Sequence, residues 1–190
     1  MSHKFDPAKK HKLDNPWRRQ NMPPLPTLEA LGLVEDDTVA DIGCGIGYFS
    51  IPAAQRIHLD KKVYALDTSQ DMLEELEKRA TDQSVPNIIT IKTDEYDLKL
   101  AEGKVDFALI VNVLHEIDNK ERFLSEVHRI LNSSGRVAIV EWQKKETEMG
   151  PPVNHRLDQN DVISLLKSCS FQISKELEFA GALYGIVACR

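Results

Sequence analysis

Cysteine is scarce in this chain: Cys44, Cys169 and Cys189 are odd in number, and none has a partner at metal-ligand spacing. A disulfide framework is thereby excluded, and free thiols in a reducing compartment are expected. His3, His11, His58, His115, His128 and His155 are scattered without the pairings of a catalytic metal, so no metal site is expected. Long apolar runs are missing too. The opening MSHKFDPAKKHK has no signal-peptide core, and the most apolar stretch, 107–114, is broken by Asn112 and too short to span a bilayer. Positive charge is in deficit. The net charge of −6 argues against wholesale binding to nucleic acid or an anionic membrane. Together these absences predict a cytoplasmic protein without a membrane partner.

What is present suits one α/β domain. The 190 residues are 42% hydrophobic and 28% charged, and a domain of this length buries roughly 70% of the surface its unfolded chain exposes. Charge is uneven along the chain. Six basic residues against two acidic ones give residues 1–26 a charge of +4, so the remainder carries −10. This N-terminal arm has two readings: a solvated, frayed segment, or a lid over an anionic or carboxylate-bearing site. Its Leu13 and Trp17 are apolar anchors that a disordered arm would not need. Residues 27–190 form the predicted domain.

From 27–31, read as a short helix, strand and helix patterns alternate. Strands are expected at 38–42, 62–66, 88–91, 105–111 and 136–142. Helices are expected at about 48–57, from Ser69 to about 81, and from Asp118 or Asn119 to Gly135. Phe123, Leu124, Val127, Ile130 and Leu131 in the last of these recur at helical spacing. A long loop over 143–156 precedes a helix capped by Asp158, and strands at 171–179 and 183–188 close the chain. This order predicts a mostly parallel sheet with helices on both faces.

The densest signal is Val39-Ala-Asp-Ile-Gly-Cys-Gly-Ile-Gly-Tyr48, a strand entering a turn with glycines at 43, 45 and 47 and then a helix. Glycine permits positive φ and close ligand approach, and the helix start offers free N–H groups. A dinucleotide loop would place its third glycine at 48, where this chain has Tyr48. Asp41 also stands two residues before the first glycine, where a pyrophosphate has little use for a carboxylate and a cationic ligand with an ammonium does. Asp67 closes the second strand and can accept from two ribose hydroxyls. Asp94 follows the third strand and can accept from an adenine amino group.

These ordered motifs resemble the class I methyltransferase superfamily, in particular the small UbiE-like, methyltransferase-11 type. DIGCGIGYFS is similar to its first motif, ALDTSQDML to the segment with the ribose-binding acid, and TDEYDL to the adenine-contacting segment. FALIVNVLHEIDN and FLSEVHRILNSSGRVAIVEW are similar to its fourth-strand to fifth-strand module. The resemblance covers roughly 35–190. It implies a Rossmann-like three-layer sandwich with a seven-stranded, mostly parallel sheet in order 3-2-1-4-5-7-6 and strand 7 antiparallel. It also implies S-adenosylmethionine as cofactor and S-adenosylhomocysteine as product. The implied cofactor residues are Asp41, Gly43, Cys44, Gly45, Gly47, Tyr48, Asp67, Thr68, Asp94, Glu95 and Asn112. Ser134-Gly135 and Cys169-Ser-Phe171 depart from the family's usual turns.

The methyl acceptor is not identified by sequence. His115, in the turn after the fourth strand, is the candidate general base, or it caps the following segment with Glu116. Trp17, Trp142, His155 and Arg156 are candidate substrate residues beside it. Arg156 reads either as a carboxylate or phosphate anchor or as a surface residue near Asp158, and Trp142 as a stacking platform or core. Cys44 reads as a small turn residue. No Asn/Asp-Pro-Pro-Tyr/Phe follows the fourth strand, and no Pro-Cys pair occurs, which disfavours adenine or glutamine amino-methylation and cytosine C5 chemistry. The leading expectation is methylation of a small molecule. The alternatives are RNA or protein methylation using the basic arm, a non-catalytic S-adenosylmethionine-binding module, and a nicotinamide-dependent oxidoreductase, which Tyr48 disfavours.

Overall fold

The computed structural model describes residues 13–147 and 149–190. Seven strands form one sheet: β1 Val39–Ile42, β2 Val63–Asp67, β3 Ile88–Lys92, β4 Val105–Val111, β5 Leu131–Trp142, β6 Gln172–Phe179 and β7 Leu183–Cys189. Their order is β3-β2-β1-β4-β5-β7-β6. β1 to β5 pair in parallel, and β7 runs antiparallel to both β5 and β6. The sheet is therefore the one implied by the motif order. β1, most of β4 and the 137–142 part of β5 are buried on both faces because helices cover both, so their sequences are largely apolar without alternation.

The helices are α1 Pro16–Asn21, α2 Pro24–Ala30, α3 Ser50–Arg56, α4 Gln70–Asp82, α5 Lys120–Ile130 and α6 Gln159–Ser168. One face of the sheet packs α5 and α6, through Phe123, Leu124, Val127, Ile130, Val162 and Leu166, against Ala108, Ile110, Ile139 and Ile186. The other face packs α2 and α3, with Met22, Leu28, Ala53 and Ala54 against Val39, Phe107, Ala138 and Val187. α4 extends that second face through Leu73 and Leu76, packed with Ile51 and Ala65. Among the described residues no helix is long and apolar enough to cross a membrane.

Several element ends differ from the sequence reading, each for a local reason. The helix expected from 48 starts at Ser50, because Gly47 and Cys44 first close a separate turn through the Gly47 N–H to Cys44 carbonyl bond. Ser69 stands at the N-cap of α4 without a side-chain cap. The Asp67 carboxylate takes the Ser69 N–H instead, at 2.8 Å. Gly135 does not end α5, which stops at Ile130. The chain passes directly into β5, and 132–135 bulge out between the Val105–Leu131 and Phe107–Arg136 pairings.

Residues 1–12 of the predicted arm lie outside the described residues. The described part, from Leu13, follows the body closely: Met22 and Leu28 are buried, and the proposed boundary at 26–27 falls inside α2. An ion pair ties this region to the sheet. Asp37, buried before β1, accepts from Arg136 Nη1 at 3.1 Å and Nη2 at 2.5 Å and from the Val34 N–H at 2.8 Å. Arg136 also donates to the Gly32 carbonyl and lies over the Phe107 ring. Removing one partner of such a pair leaves the other charge poorly solvated. Asp37→Ala is expected to lower stability by about 2–4 kcal/mol in urea unfolding, discounted for partial exposure of Arg136. A loss within the ordinary scatter of surface substitutions would show that the tie is dispensable.

Candidate active site

The strand order reverses between β1 and β4, and the carboxyl ends of those strands mark the usual ligand position of open α/β sheets. Its floor is the turn after β1. Gly43, Gly45 and Gly47 adopt φ of +72°, +53° and +81°. Space is as restrictive as conformation: a Cβ on Gly43 would collide with Val113, and one on Gly47 would sit 2.8 Å from Leu76. The Gly43 and Cys44 amides donate to the Leu66 carbonyl at 2.8 and 3.1 Å, which ties the turn to β2.

Asp67 ends β2 and joins the two strand tips. Its Oδ2 accepts the Gly45 N–H at 2.9 Å and its Oδ1 the Ser69 N–H at 2.8 Å. Burial raises its pKa above the ordinary carboxylate value, against the backbone donors, which lower it. Thr68, next to it, is exposed. After β3, Asp94 and Asp97 close a tight turn, with Lys99 Nζ paired to both carboxylates. Glu95 Oε1 accepts the Asp118 N–H and the Tyr96 hydroxyl accepts the Asn119 N–H, so this turn abuts the entry to α5.

Asp41 lies 3% exposed beneath the glycine turn, with its Oδ2 accepting from Ser50 Oγ at 2.5 Å. Burial pushes its carboxyl up from the ordinary 3.8 to about 6, although Ser50 and the nearby Arg18 charge pull it down. Cys44 is buried among apolar side chains, and burial first, then the Asp41 and Asp67 charges, raise its thiol well above the ordinary value. It is therefore a packing residue, not a nucleophile.

Past β4 the chain turns at Asn112, a non-glycine residue at φ +57° whose buried Oδ1 has no hydrogen-bond partner. Unpaired buried acceptors are rare enough that this one marks a place for a donor. His115 follows, its side chain 7% exposed, with Nδ1 2.9 Å from Glu141 Oε2 and 3.1 Å from Oε1. Glu141, on β5, is fully buried and also accepts the backbone N–H groups of His115 and Trp142. Burial alone would depress the His115 pKa. The Glu141 hydrogen bond and charge, aided by Glu116, overcome it and hold the imidazole above its ordinary 6.5. Glu141 escaped the sequence reading because a lone acid in an apolar strand resembles a solvent-facing position.

The remaining candidates are placed otherwise than expected. Tyr48 turns its hydroxyl to the Met22 carbonyl at 3.0 Å and its ring against Phe49, fastening the N-terminal segment. Trp142 is sandwiched: Trp17 stacks on it at 5.3 Å, Gly150 lies against its ring, and Arg156 covers it at 5.4 Å. Packing, not ligand stacking, occupies its faces. Arg156 is buried and donates to the carbonyls of Gln143, Lys145, Met149 and Pro151 and to Thr147 Oγ1. That makes it a staple of the 143–156 loop, the reverse of a free substrate anchor. His155 lies in a 3-10 turn of the same loop, outside the His115–Glu141 pair. Arg19 of the basic arm is paired with Asp14, and Arg79 grips the same carboxylate from α4.

Comparison with known proteins identifies the family and agrees with the fold. Residues 40–139 match the family described as "Methyltransferase domain". The chain is 28% identical to a SAM dependent methyltransferase of known structure from Aquifex aeolicus, covering 98% of this chain and 99% of that one with a TM-score of 0.93. It is 28% identical over 118 residues to the 2-phytyl-1,4-naphtoquinone methyltransferase of a Nostoc species, 62% of this chain and 52% of that one. It is 25% identical over 138 residues to the demethylmenaquinone methyltransferase of Lactiplantibacillus plantarum, 72% of this chain and 56% of that one. The chain thus spans about half the length of the curated relatives it matches.

The buried Asp41 gives a pH signature. Between about 3.8 and 6 the folded chain holds a proton that the unfolded chain has released, so this group makes stability fall as pH rises through that window. The full effect, at most about 3 kcal/mol, is present above pH 6. Asp41→Asn should therefore raise the melting temperature of the ligand-free protein at pH 8 and leave it unchanged near pH 3.5. A gain of equal size at both pH values would be inconsistent with a raised Asp41.

Proposed function

This chain belongs to the methyltransferase-11 family of methyltransferase domains, and from that premise we propose that it transfers a methyl group from S-adenosylmethionine to a small-molecule acceptor. The observation that carries the reading is the glycine turn anchored by the Asp67 carboxylate at the reversal of strand order. The orphaned Asn112 Oδ1 fits a ligand that brings its own donors. When bound, the cofactor supplies a methyl carbon made electrophilic by its sulfonium.

The chain's own part is alignment and electrostatics. Asp67 has lone pairs left after its two backbone bonds and takes the ribose hydroxyls, with Thr68 beside it. Gly43, Cys44, Gly45 and Gly47 admit the amino-acid end by backbone contact, and Asp41 lends negative charge beneath. Asp94 and Glu95 flank the adenine end. Asn112 lines the floor between donor and acceptor.

His115 acts as the base toward the acceptor. Glu141 binds Nδ1, which fixes the Nδ1–H tautomer and leaves the Nε2 lone pair to take a proton. The carboxylate also stabilises the imidazolium that results. This polarity suits an acceptor with an ionisable hydroxyl, such as the reduced form of a quinone, and the quinone methyltransferases among the relatives support that class.

Titration with S-adenosylhomocysteine tests the donor half. Asp67→Ala should weaken binding by roughly 1.5–3 kcal/mol, the value of charge-assisted hydrogen bonds to hydroxyls. Unchanged affinity would remove Asp67 from the site. The base is tested by the pH profile of methyl transfer to a hydroquinone. Turnover should rise with pH through an inflection above 6.5, because His115 is active only when neutral and its pKa is raised. Glu141→Gln should move that inflection downward and slow turnover about 10- to 100-fold. An inflection that stays in place would sever Glu141 from the chemistry.

A further inference from the structure

Arg18 is a basic residue of the arm that the methyl-transfer reading has not used. It lies in α1 and turns its guanidinium inward, 4.4 Å from the Tyr48 ring centre and 5.5 Å from that of Phe49. Nη1 donates to the Leu13 carbonyl at 2.9 Å. Nε is buried and meets no acceptor among the described residues. A buried donor left unpaired is costly, more so on a charged group, so an orphaned guanidinium edge marks where an acceptor belongs.

Two carboxylates are close enough to act on Arg18, and neither satisfies it. Asp14 is held by Arg19 and Arg79, and Asp41 by Ser50. Burial pulls the Arg18 pKa down to about 10, while Tyr48, Asp41 and Asp14 push it back up, so the cation persists at neutral pH. Leu13, whose carbonyl Arg18 holds, lies with its side chain over the glycine turn, where its Cδ1 would stand 3.0 Å from a Cβ on Gly45. A buried cation and the buried Asp41 anion thus share one glycine turn. That pairing complements a zwitterion: an ammonium toward Asp41 and a carboxylate toward Arg18.

We propose that Arg18 recognises the α-carboxylate at the amino-acid end of the methyl donor, so that the site discriminates for ligands that carry it. The inference rests on the donor reading above and assigns one of its contacts to a side chain outside the ordered motifs. Arg18 is held for this task by Tyr48, whose ring supports the guanidinium and whose hydroxyl fastens Met22. Nη1 being committed to Leu13, the carboxylate approaches from the Nε side.

The test compares two ligands by calorimetry on the full chain: S-adenosylhomocysteine, and S-adenosyl-3-thiopropylamine, the same molecule without its carboxylate. The wild-type chain should prefer S-adenosylhomocysteine by roughly 10- to 100-fold, the range of a charge-assisted hydrogen bond. Arg18→Gln should lose that preference, binding the amine within about 3-fold of wild type, the scatter of an indirect effect. Arg18→Gln weakening both ligands alike, or neither, would overturn the proposal. Should Arg18→Gln fail to fold, the wild-type preference and Arg18→Lys decide: equal wild-type affinity for the two ligands overturns the inference alone. Wild-type binding of neither would overturn the donor reading together with it.

Discussion

The hydrogen bond from the Gly45 amide to the Asp67 carboxylate sets the candidate acid against the glycine turn, joining the tips of β1 and β2. The turn after β1 must leave the sheet at positive φ three times within five residues, and without an anchor such a turn has many conformations. Asp67 supplies the anchor from the neighbouring strand and, with its other oxygen, holds the start of α4. Turn shape, helix placement and acid position are thereby one constraint. The Leu66 carbonyl adds two further bonds to the same turn, so its shape is fixed from β2 by the protein alone.

A second carboxylate, this one fully buried, organises the neighbouring strand ends. Glu141 emerges from β5 into an apolar layer and spends its lone pairs on the His115 ring, the His115 amide and the Trp142 amide. A burial that would be prohibitive for an unpaired charge is offset by this set of donors. The arrangement also fixes the turn after β4, because the same residue that accepts the imidazole proton holds the backbone that carries the ring. The turns after β1 and β4 are thus each oriented by an acid on an adjacent strand.

Much of this was legible in the order of residues. Glycines at 43, 45 and 47 and acids at 41, 67 and 94 fall at successive strand ends, and their types follow from local backbone and charge requirements. Element order was readable because each apolar run is short and punctuated, whereas the strand order followed from the resemblance to the family and not from the pattern. What escaped depends on contacts across the fold. Glu141 meets His115 across 26 positions, and no periodicity announces that. Arg18 reads as one more charge on a basic arm until Tyr48 and the glycine turn surround it. Arg156, on the long loop, and Trp142, at the end of β5, read as candidate ligand groups, and only the folded loop reveals that they pack on each other.

The helix α1 has one further property. Its consecutive residues Trp17 and Arg18 diverge around the helix axis: the indole stacks on Trp142 at the end of β5, and the guanidinium rests on Tyr48 beyond β1. Six residues of helix therefore bridge the end of β5 and the turn after β1 as a keystone does an arch. A displacement of α1 would strip packing from both strand ends at once, although the helix itself contributes nothing to the sheet.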